Sequence, residues 1–278
     1  MHESKGHDAR GGLDIVKAET TDYIIDITRR DDVIGLSKEG GFDAIVHLAA
    51  YPNPRSFTNA GALKGLDVNV VGTINMLELA RILNAKFLLY STSNVYGKPT
   101  KLPVTEDDPL RPFEGGYGWS KVAAEAVSMS YHVVHKVPVT IFRLWKPYGP
   151  HDNGVVGIFI TRALKNEDLV VNNGGVDTTD FLYVEDLCDA TELALRKDDV
   201  VGQAFNIGLG VETSILDLAR IIVKLVGSNS KINVQPRTSE PFRSYPDVSK
   251  AMRILGFKPK YDLVSGLRAT IDWFRRNL

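Results

Sequence analysis

The chain contains a single cysteine, Cys188, in 278 residues, so neither an internal disulfide bond nor a cysteine-rich metal site is expected. Charge of either sign is not in excess, because 33 lysines and arginines against 34 acidic residues give a net charge of -1. This balance argues against a broad surface for nucleic acid or for an anionic membrane. No apolar run reaches the ~18 residues of a membrane span. Residues 1–12 lack the apolar core of a signal peptide, so a cytoplasmic location is expected.

Histidines and acids at metal-ligand spacing are also lacking. His135, His151 and Asp152 have no suitably spaced partners, and we expect no metal. His47 lies inside an apolar run, where a packed core histidine is the expected role.

Short apolar runs alternate with longer helical patterns in the first half of the chain. The strand-like runs are residues 23–27, 44–49, 86–91, 139–144 and 203–207. Helical spacing is shown by Leu63, Leu66, Val70, Ile74 and Leu77, and residues 116–135 have a helical pattern too. The alternation predicts the α/β class, a Rossmann-like parallel sheet with helices on both faces.

The pattern loosens from about residue 150 into turns rich in glycine and asparagine. Three helical segments follow, near 185–197, 213–226 and 263–277. We therefore expect a dinucleotide-binding domain over 1–150 and a small C-terminal α/β substrate lobe over 151–278. Some segments of the second range are expected to return to the first domain.

Tyr117 and Lys121 stand four residues apart, which places them one turn apart on one face of a helix. A phenol with a pKa near 10 is a poor base at neutral pH, but a lysine ammonium beside it stabilises the phenolate. The spacing alone is weak, since about 0.6 such pairs arise by chance from this composition. The hydroxyl run Ser91, Thr92 and Ser93 at the end of a predicted strand strengthens the interpretation, because ligands bind at that edge of open α/β sheets.

Several motifs in order resemble the extended short-chain dehydrogenase/reductase family, in its NAD-dependent nucleotide-sugar epimerase/dehydratase branch, which is UDP-glucose 4-epimerase-like. They run from about residue 22 to the C-terminus. The motifs are "DIT", "HLAA", "NVVGT", "STSNVYG", "YGWSK", "TTDFLYVEDL" and "EPFRSYPDVSKAMRILGFKP". Each is weak alone, and the ordered set is specific.

The resemblance implies an NAD-dependent epimerase acting on a nucleotide sugar through a transient keto intermediate. Its implied catalytic residues are Thr92, which binds the reacting oxygen, Tyr117 as the base, and Lys121, which lowers the tyrosine pKa. The implied cofactor-binding residues are Asp26, Ile27, Leu48, Ala49, Ala50, Asn69, Tyr117, Lys121 and Pro147. The implied cofactor is NAD, and the residues do not exclude NADP. A homodimer through helices over 61–84 and 116–135 is expected, with Met76, Val127 and Met129 on the outward faces.

Departures from the family pattern shape the expected substrate pocket. Dehydratases carry Asp-Glu where this chain has Ser93 and Asn94, so dehydration is disfavoured. Lys146 replaces an asparagine, and Thr179 replaces an arginine that clamps a diphosphate. The expected substrate-binding residues are Ser93, Asn94, Lys146, Arg237, Glu240 and Arg243.

No glycine-rich dinucleotide turn precedes "HLAA", so the Rossmann-like sheet is expected to be truncated at its N-terminal side. Residues 23–27 would then have no neighbouring strand, the strand over 44–49 would expose an edge, and the acid that binds the adenosine ribose would be absent. Residues 13–18 are a weak candidate for the vacant position. Two alternatives to the epimerase therefore stay open: a reductase of a small carbonyl that consumes NAD(P)H, and a non-catalytic nucleotide-sugar-binding protein.

Overall fold

The computed structural model describes residues 11–52, 60–112 and 115–278, which form two compact units. The first unit comprises the chain up to Leu89 together with Gly115–Val139. The second unit comprises Tyr90–Glu114 and Thr140–Leu278. The expected domain boundary at residue 150 stays a prediction.

The first unit contains short strands, one short α-helix and two long helical segments. Its elements are β1 (Leu13–Asp14), β2 (Tyr23–Ile24), α1 (Arg30–Gly35), β3 (Ala44–His47), α2 (Ala60–Leu66), α3 (Gly72–Leu83), the start of β4 (Lys86–Thr92) and α4 (Gly115–His135). A π-helical turn, Asp67–Val71, joins α2 to α3, so the helical pattern expected here is confirmed as one continuous segment. The expected strand over 23–27 is shorter than predicted.

The vacancy expected beside residues 23–27 is partly filled. Leu13 pairs with Tyr23 and Asp14 with Ile24 in a parallel ladder, so the prediction that this run has no neighbour was wrong. The local cause is a tight connection in which Gly12 O accepts from the Asp22 and Tyr23 amides at 2.8 and 3.0 Å. A Cβ at Gly12 would meet Thr20 O at 1.8 Å, so only glycine fits there.

β3 pairs in parallel with β4, from Ala44 opposite Lys86 to His47 opposite Leu89. β4 extends into the second unit, where the order continues through β5 (Val139–Leu144) to β10 (Gln203–Ile207), and β5 pairs in parallel with β10 from Thr140 opposite Gln203. The strand β5 is buried along its whole length, as expected for a strand covered on both faces. A parallel sheet with covering helices confirms the predicted α/β class.

The rest of the second unit consists of short strands and four helices. These are β6 (Pro147–Tyr148), α5 (Val155–Leu164), β7 (Leu169–Val171), β8 (Thr178–Thr179), β9 (Leu182–Tyr183), α6 (Val184–Arg196), β11 (Thr213–Ser214), α7 (Ile215–Val226), β12 (Ile232–Val234) and α8 (Leu263–Asn277). Three of the helices match the segments predicted from periodicity. Their ends have local causes: Ser214 caps α7 through the Asp217 amide at 3.0 Å, and Gly227 ends it at φ 72°.

A hydrophobic cluster within the second unit joins α5, α7 and α8. Its fully buried members include Ile160, Leu169, Leu218, Ile222, Leu267 and Ile271. Burial of each such side chain contributes about 1.5–3 kcal/mol relative to exposure. Across the described ranges, no helix is long and apolar enough to cross a membrane.

Candidate active site

A cavity of about 710 Å³ lies in the first unit, beside β3 and between it and β1 and β2. Five of the residues predicted to bind the cofactor line it, namely Asp26, Ile27, Leu48, Ala49 and Ala50. The lining also includes the edge strand β3 from Ala44 to His47. The structure therefore brings together the residues that two separate motifs supply.

Asp26 and Ile27 are held at the cavity wall by local hydrogen bonds and close packing. The Asp26 carboxylate accepts from the amide and the hydroxyl of Thr28 at 2.9 and 2.8 Å, and these bonds lower the pKa of Asp26. Asn75 donates to Ile27 O at 2.8 Å. A Cβ at Gly72 would lie 2.5 Å from the Ile27 side chain, so glycine allows α3 to approach. The result is a fixed carboxylate at the cavity.

Asp14 also lines the cavity, and sequence reasoning missed it. It ends β1, and one carboxylate oxygen accepts from the Val16 amide at 3.1 Å. An acid at the carboxyl end of the neighbouring parallel strand is the usual ligand of an adenosine ribose hydroxyl. The structure thus places an acid at the end of the strand beside residues 23–24, where the sequence pattern predicted none. The sequence feature that marks this acid is the run "LDI". Its pairing with residues 23–24 could not be inferred from so short a run.

Lys64 brings a positive charge to the same cavity. Its ammonium lies 5.5 Å from the centroid of the Tyr51 ring and contributes to lowering the Asp26 pKa. Among residues 11–52 no glycine-rich turn leads into a helix. This part of the chain therefore does not provide the backbone amides with which such a turn binds a diphosphate. Lys64 is the cation that the described cavity wall presents instead.

The helix α4 holds Tyr117 and Lys121 one turn apart, as their spacing predicted. Lys121 is 2% exposed, and its desolvation lowers the lysine pKa to about 8 although Glu125 acts in the opposite direction. His47, at the end of β3, is 2% exposed, which confirms its expected packing in the core. Burial first, and the nearby Lys121 second, lower the pKa of His47 to about 3. The effect of Lys121 on His47 shows that the two ionisable groups are electrostatically coupled within the first unit.

Asn69 is buried in the π-helical turn, and its side-chain amide is fully engaged. It donates to Tyr51 O at 3.2 Å and to Ser120 Oγ at 2.8 Å, and it accepts from the Tyr51 amide at 2.6 Å. Both amide hydrogens are thus used within the protein. The predicted contact between Asn69 and a cofactor stays a prediction.

The second unit places several of the other predicted residues at the carboxyl ends of its strands. Thr92 ends β4 and caps a short 3₁₀ turn over Ser93–Tyr96 by accepting from the Asn94 amide at 3.2 Å. Lys146 and Pro147 follow the neighbouring strand β5, and Lys146 has φ 23°. Lys146 is exposed at the surface, yet desolvation by surrounding protein lowers its pKa, while Asp152 acts in the opposite direction.

Arg243 is held by a two-point ion pair with Glu212, at 2.7 Å from both Nε and Nη2. The Glu212 carboxylate also accepts from the Thr178 hydroxyl at 2.5 Å, and these partners lower its pKa. A buried carboxylate, Asp180, accepts from the Leu209 and Val211 amides and so fixes the loop that carries Glu212. The ion pair is therefore a supported feature rather than a mobile surface contact.

Arg237 and Glu240, each predicted to bind the substrate, form an ion pair at 2.9 Å, and Glu240 is 81% exposed. Asn173, which sequence reasoning missed, holds the loop between them by accepting from the Thr238 and Ser239 amides at 3.0 Å each. In the parts of the chain that the structure describes, no group of histidine, cysteine or acidic side chains could hold a metal ion.

One sequence expectation about a helix face was wrong. Met76, expected on an outward face, is 7% exposed and lines the cavity. Glu185 and Asp186 lie in the first turn of α6 and bind residues 260–261: Asp186 accepts from the Lys260 amide at 2.7 Å. Packing across distant segments decides these positions.

Comparison with known proteins gives a consistent result. A profile of the NAD dependent epimerase/dehydratase family matches residues 5–208. The chain is 36% identical to UDP-glucuronic acid decarboxylase 4 of Arabidopsis thaliana over 85% of this chain and 55% of that protein, so it spans about half of the plant protein. Its fold resembles a Thermotoga maritima UDP-glucose 4-epimerase with UDP-glucose, with a TM-score of 0.88 and 26% identity over 95% of this chain and 90% of that one. It also resembles a Bacillus cereus UDP-glucuronic acid 4-epimerase in complex with UDP-glucuronic acid and NAD, with a TM-score of 0.82 and 29% identity over 92% and 82%.

Proposed function

The chain belongs to the NAD dependent epimerase/dehydratase family, and we propose that it is an NAD-dependent epimerase of a nucleotide sugar. The observation that carries the proposal is the pair on α4. Tyr117 lies one helical turn from Lys121, whose ammonium is buried and whose pKa falls to about 8. A buried cation beside a phenol favours the phenolate, which is the base that this chemistry needs.

The first-unit cavity fits the adenosine half of NAD by size and by the chemistry of its walls. Asp14 would accept from the adenosine ribose hydroxyls, and Asp26 with Ile27 would contact the adenine. Ala49 and Ala50 leave the wall smooth where a flat group must approach the backbone. Lys64 supplies positive charge for the diphosphate in place of a glycine-rich turn. NAD, when bound, would accept a hydride from the sugar and return it.

Tyr117 would take the proton from the sugar hydroxyl as the hydride leaves the same carbon, and would give it back when the hydride returns to the other face. Lys121, still mainly protonated at pH 7, would hold the phenolate charge. Thr92 would hydrogen-bond the reacting oxygen. The proton returns to the sugar oxygen from Tyr117 and the hydride returns to the sugar carbon, so the reaction is redox-neutral over one cycle.

Elimination of water from the keto sugar is disfavoured by the residues after Thr92. Ser93 is half-buried and Asn94 is exposed, and neither side chain can exchange a proton near neutral pH. The epimerase alternative requires no further acid or base at these positions. We therefore favour epimerisation over dehydration for the same keto intermediate.

The second unit supplies candidate anion ligands for the diphosphate of the substrate. The ion pair with Glu212 uses Nε and one side of Nη2 of Arg243, so Nη1 and the other side of Nη2 form a second two-point donor edge. That edge matches two oxygens of a phosphate. Lys146 adds a second cation at the end of β5. Arg237 and Glu240 would contact the remaining polar groups.

A homodimer is part of the proposal. Val133 and Val134 near the end of α4 are 61% and 65% exposed, and Leu63 on α2 is 67% exposed. We propose that a second copy of the chain covers these exposed apolar side chains. Sedimentation of the purified chain tests this directly.

The activity is tested by incubating the 278-residue chain with catalytic NAD⁺ and either UDP-glucose or UDP-glucuronic acid, followed by proton NMR of the sugar. The proposal expects the C4 epimer to accumulate without net NADH, and Tyr117→Phe to abolish it. Stoichiometric NADH consumption with a small ketone would indicate a reductase instead. Binding of UDP without any turnover would indicate a non-catalytic sugar-nucleotide-binding protein.

A further inference from the structure

A chain of buried hydrogen bonds crosses the first unit from the end of β3 to the helix that carries Tyr117. It passes through His47, Thr73, Asn69 and Ser120, which are between 0 and 2% exposed. His47 Nε2 lies 3.0 Å from Thr73 Oγ, and Thr73 Oγ lies 2.7 Å from Asn69 O. The Asn69 amide then reaches Ser120 Oγ at 2.8 Å. Polar groups this deeply buried destabilise the fold unless every one is paired, so the loss of one hydrogen bond in this series leaves its partner unpaired at a cost in stability.

The direction of each bond follows from the number of hydrogens. The single hydroxyl hydrogen of Thr73 goes to Asn69 O, so Thr73 must accept at its oxygen, and His47 Nε2 must be the donor. The single hydroxyl hydrogen of Ser120 goes to Tyr117 O at 2.8 Å, so Ser120 must accept from Asn69. The series of hydrogen bonds therefore has two parts that meet at Asn69. In the first, His47 donates to Thr73 and Thr73 to Asn69; in the second, Asn69 donates to Ser120 and Ser120 to Tyr117 O.

Asn69 also fixes the loop that leaves β3. Its amide forms a two-point pair with the backbone of Tyr51, at 2.6 and 3.2 Å. Tyr51 directly follows Ala49 and Ala50, which line the cavity. The same side chain thus holds the cavity loop on one side and the Tyr117 turn of α4 on the other. It sits in the π-helical turn over Asp67–Val71, an irregularity that is frequent at functional sites.

We propose that Ser120 and Asn69 are positioning residues that hold the cavity loop and the backbone of Tyr117 in a fixed relation. The inference rests on the proposed function, in which the cavity loop contacts NAD and Tyr117 is the base. Neither positioning residue needs to touch the cofactor or the sugar. Displacement of reacting groups by about 1 Å can reduce a rate by about 100-fold, so a tie of this kind has direct consequences for the rate.

The chain offers a matched control. Ser128 lies on the same helix, is 0% exposed and donates to Ala124 O at 2.7 Å, so its hydroxyl bonds within α4. Ser120→Ala and Ser128→Ala each remove one buried hydroxyl that bonds within the helix. Only the first removes a partner of Asn69. A second pair of variants is Thr73→Val, which removes the hydroxyl and interrupts the series of hydrogen bonds, and Thr73→Ser, which keeps the hydroxyl.

The first measurement is amide hydrogen exchange of Tyr51 by NMR, in the folded chain without ligands. We expect Ser120→Ala to speed exchange at Tyr51 by roughly tenfold, because Asn69 loses one of its anchors, and Ser128→Ala to leave it within about twofold. Thr73→Val should act like Ser120→Ala, and Thr73→Ser like wild type. Equal exchange in the two serine variants and in the two threonine variants would overturn the inference.

The second measurement is the rate of UDP-glucose epimerisation with NAD⁺, together with NADH affinity by fluorescence. Ser120→Ala should lower kcat by about 10- to 100-fold while KM and NADH affinity stay within about threefold, and Ser128→Ala should match wild type. A loss confined to KM would contradict a positioning role for Tyr117. Failure of the proposed function is distinguishable, because the wild-type chain would then be inactive while the exchange result still supported the tie between the loop and α4.

Discussion

The guanidinium of Arg243 and the carboxylate of Glu212 form two hydrogen bonds of 2.7 Å each, between residues 31 positions apart in the chain. Thr178 supports the acid from the adjacent strand β8. An arginine held on one donor edge presents its other edge in a fixed direction. This arrangement makes Arg243 the best-oriented of the predicted anion ligands.

Arg243→Lys is expected to weaken UDP binding by roughly tenfold, because a lysine cannot keep the two-point pair with Glu212 and also offer a planar edge to phosphate. Isothermal calorimetry with UDP measures this. Arg220→Lys is the control, since Arg220 forms an exposed ion pair with Asp217 on α7 at 3.1 Å. Equal affinities of wild type and Arg243→Lys would remove Arg243 from the site.

Asp14→Asn is expected to reduce NAD⁺ affinity by about tenfold and to narrow the preference for NAD⁺ over NADP⁺. The carboxylate accepts from ribose hydroxyls and repels a 2′-phosphate, and the amide does neither as well. Titration with each dinucleotide measures the ratio. Asp31→Asn, in the first turn of α1, should leave it unchanged. An unaltered ratio in Asp14→Asn would show that the ribose lies elsewhere.

His47→Gln is expected to make the protein less sensitive to acid. Burial lowers the folded-state pKa of His47 to about 3, below the unfolded value, so between pH 6.5 and 3 the unfolded state binds the extra proton. Stability is therefore lost as pH falls through this window, by about 1.4 kcal/mol per unit. Urea unfolding of both proteins at pH 7.5 and 5 measures it. A parallel decline in both proteins would contradict a neutral, buried His47.

Lys121→Met is expected to abolish activity and to raise the melting temperature at pH 7. Desolvation lowers the folded-state pKa of Lys121 to about 8, so the unfolded state binds more protons between pH 8 and 10.5 and wild-type stability rises with pH there. The advantage of the methionine variant should shrink over the same window. Calorimetric scans at pH 7 and 9.5 measure the difference. A variant less stable than wild type at pH 7 would show that the pairing with Glu125 outweighs desolvation.

The features that sequence predicted well are local ones. The helices α6, α7 and α8 were predicted from amphipathic periodicity, and the structure adds the cap Asp262, whose carboxylate accepts from the Ser265 amide. The spacing of Tyr117 and Lys121 sets their common helix face without any knowledge of the fold. Periodicity of this kind is encoded within a few turns, so it can be read from a short window.

The features that sequence did not predict depend on pairings between distant segments. Leu13–Asp14 is too short to be recognised as a strand until residues 23–24 supply its partner. The ion pair of Arg243 with Glu212 and the hydrogen bond from Asn69 to Ser120 join residues far apart in the chain. Met76 likewise lines a cavity to which several elements contribute, so its position could not be predicted from its own helix alone.

The central claim is that the first-unit cavity binds the adenosine half of NAD, and calorimetric titration of NAD⁺ into the 278-residue chain tests it most directly. The account predicts saturable binding in the sub-millimolar range that Asp14→Asn weakens. A folded chain that gives no heat with NAD⁺ at millimolar concentration would contradict it.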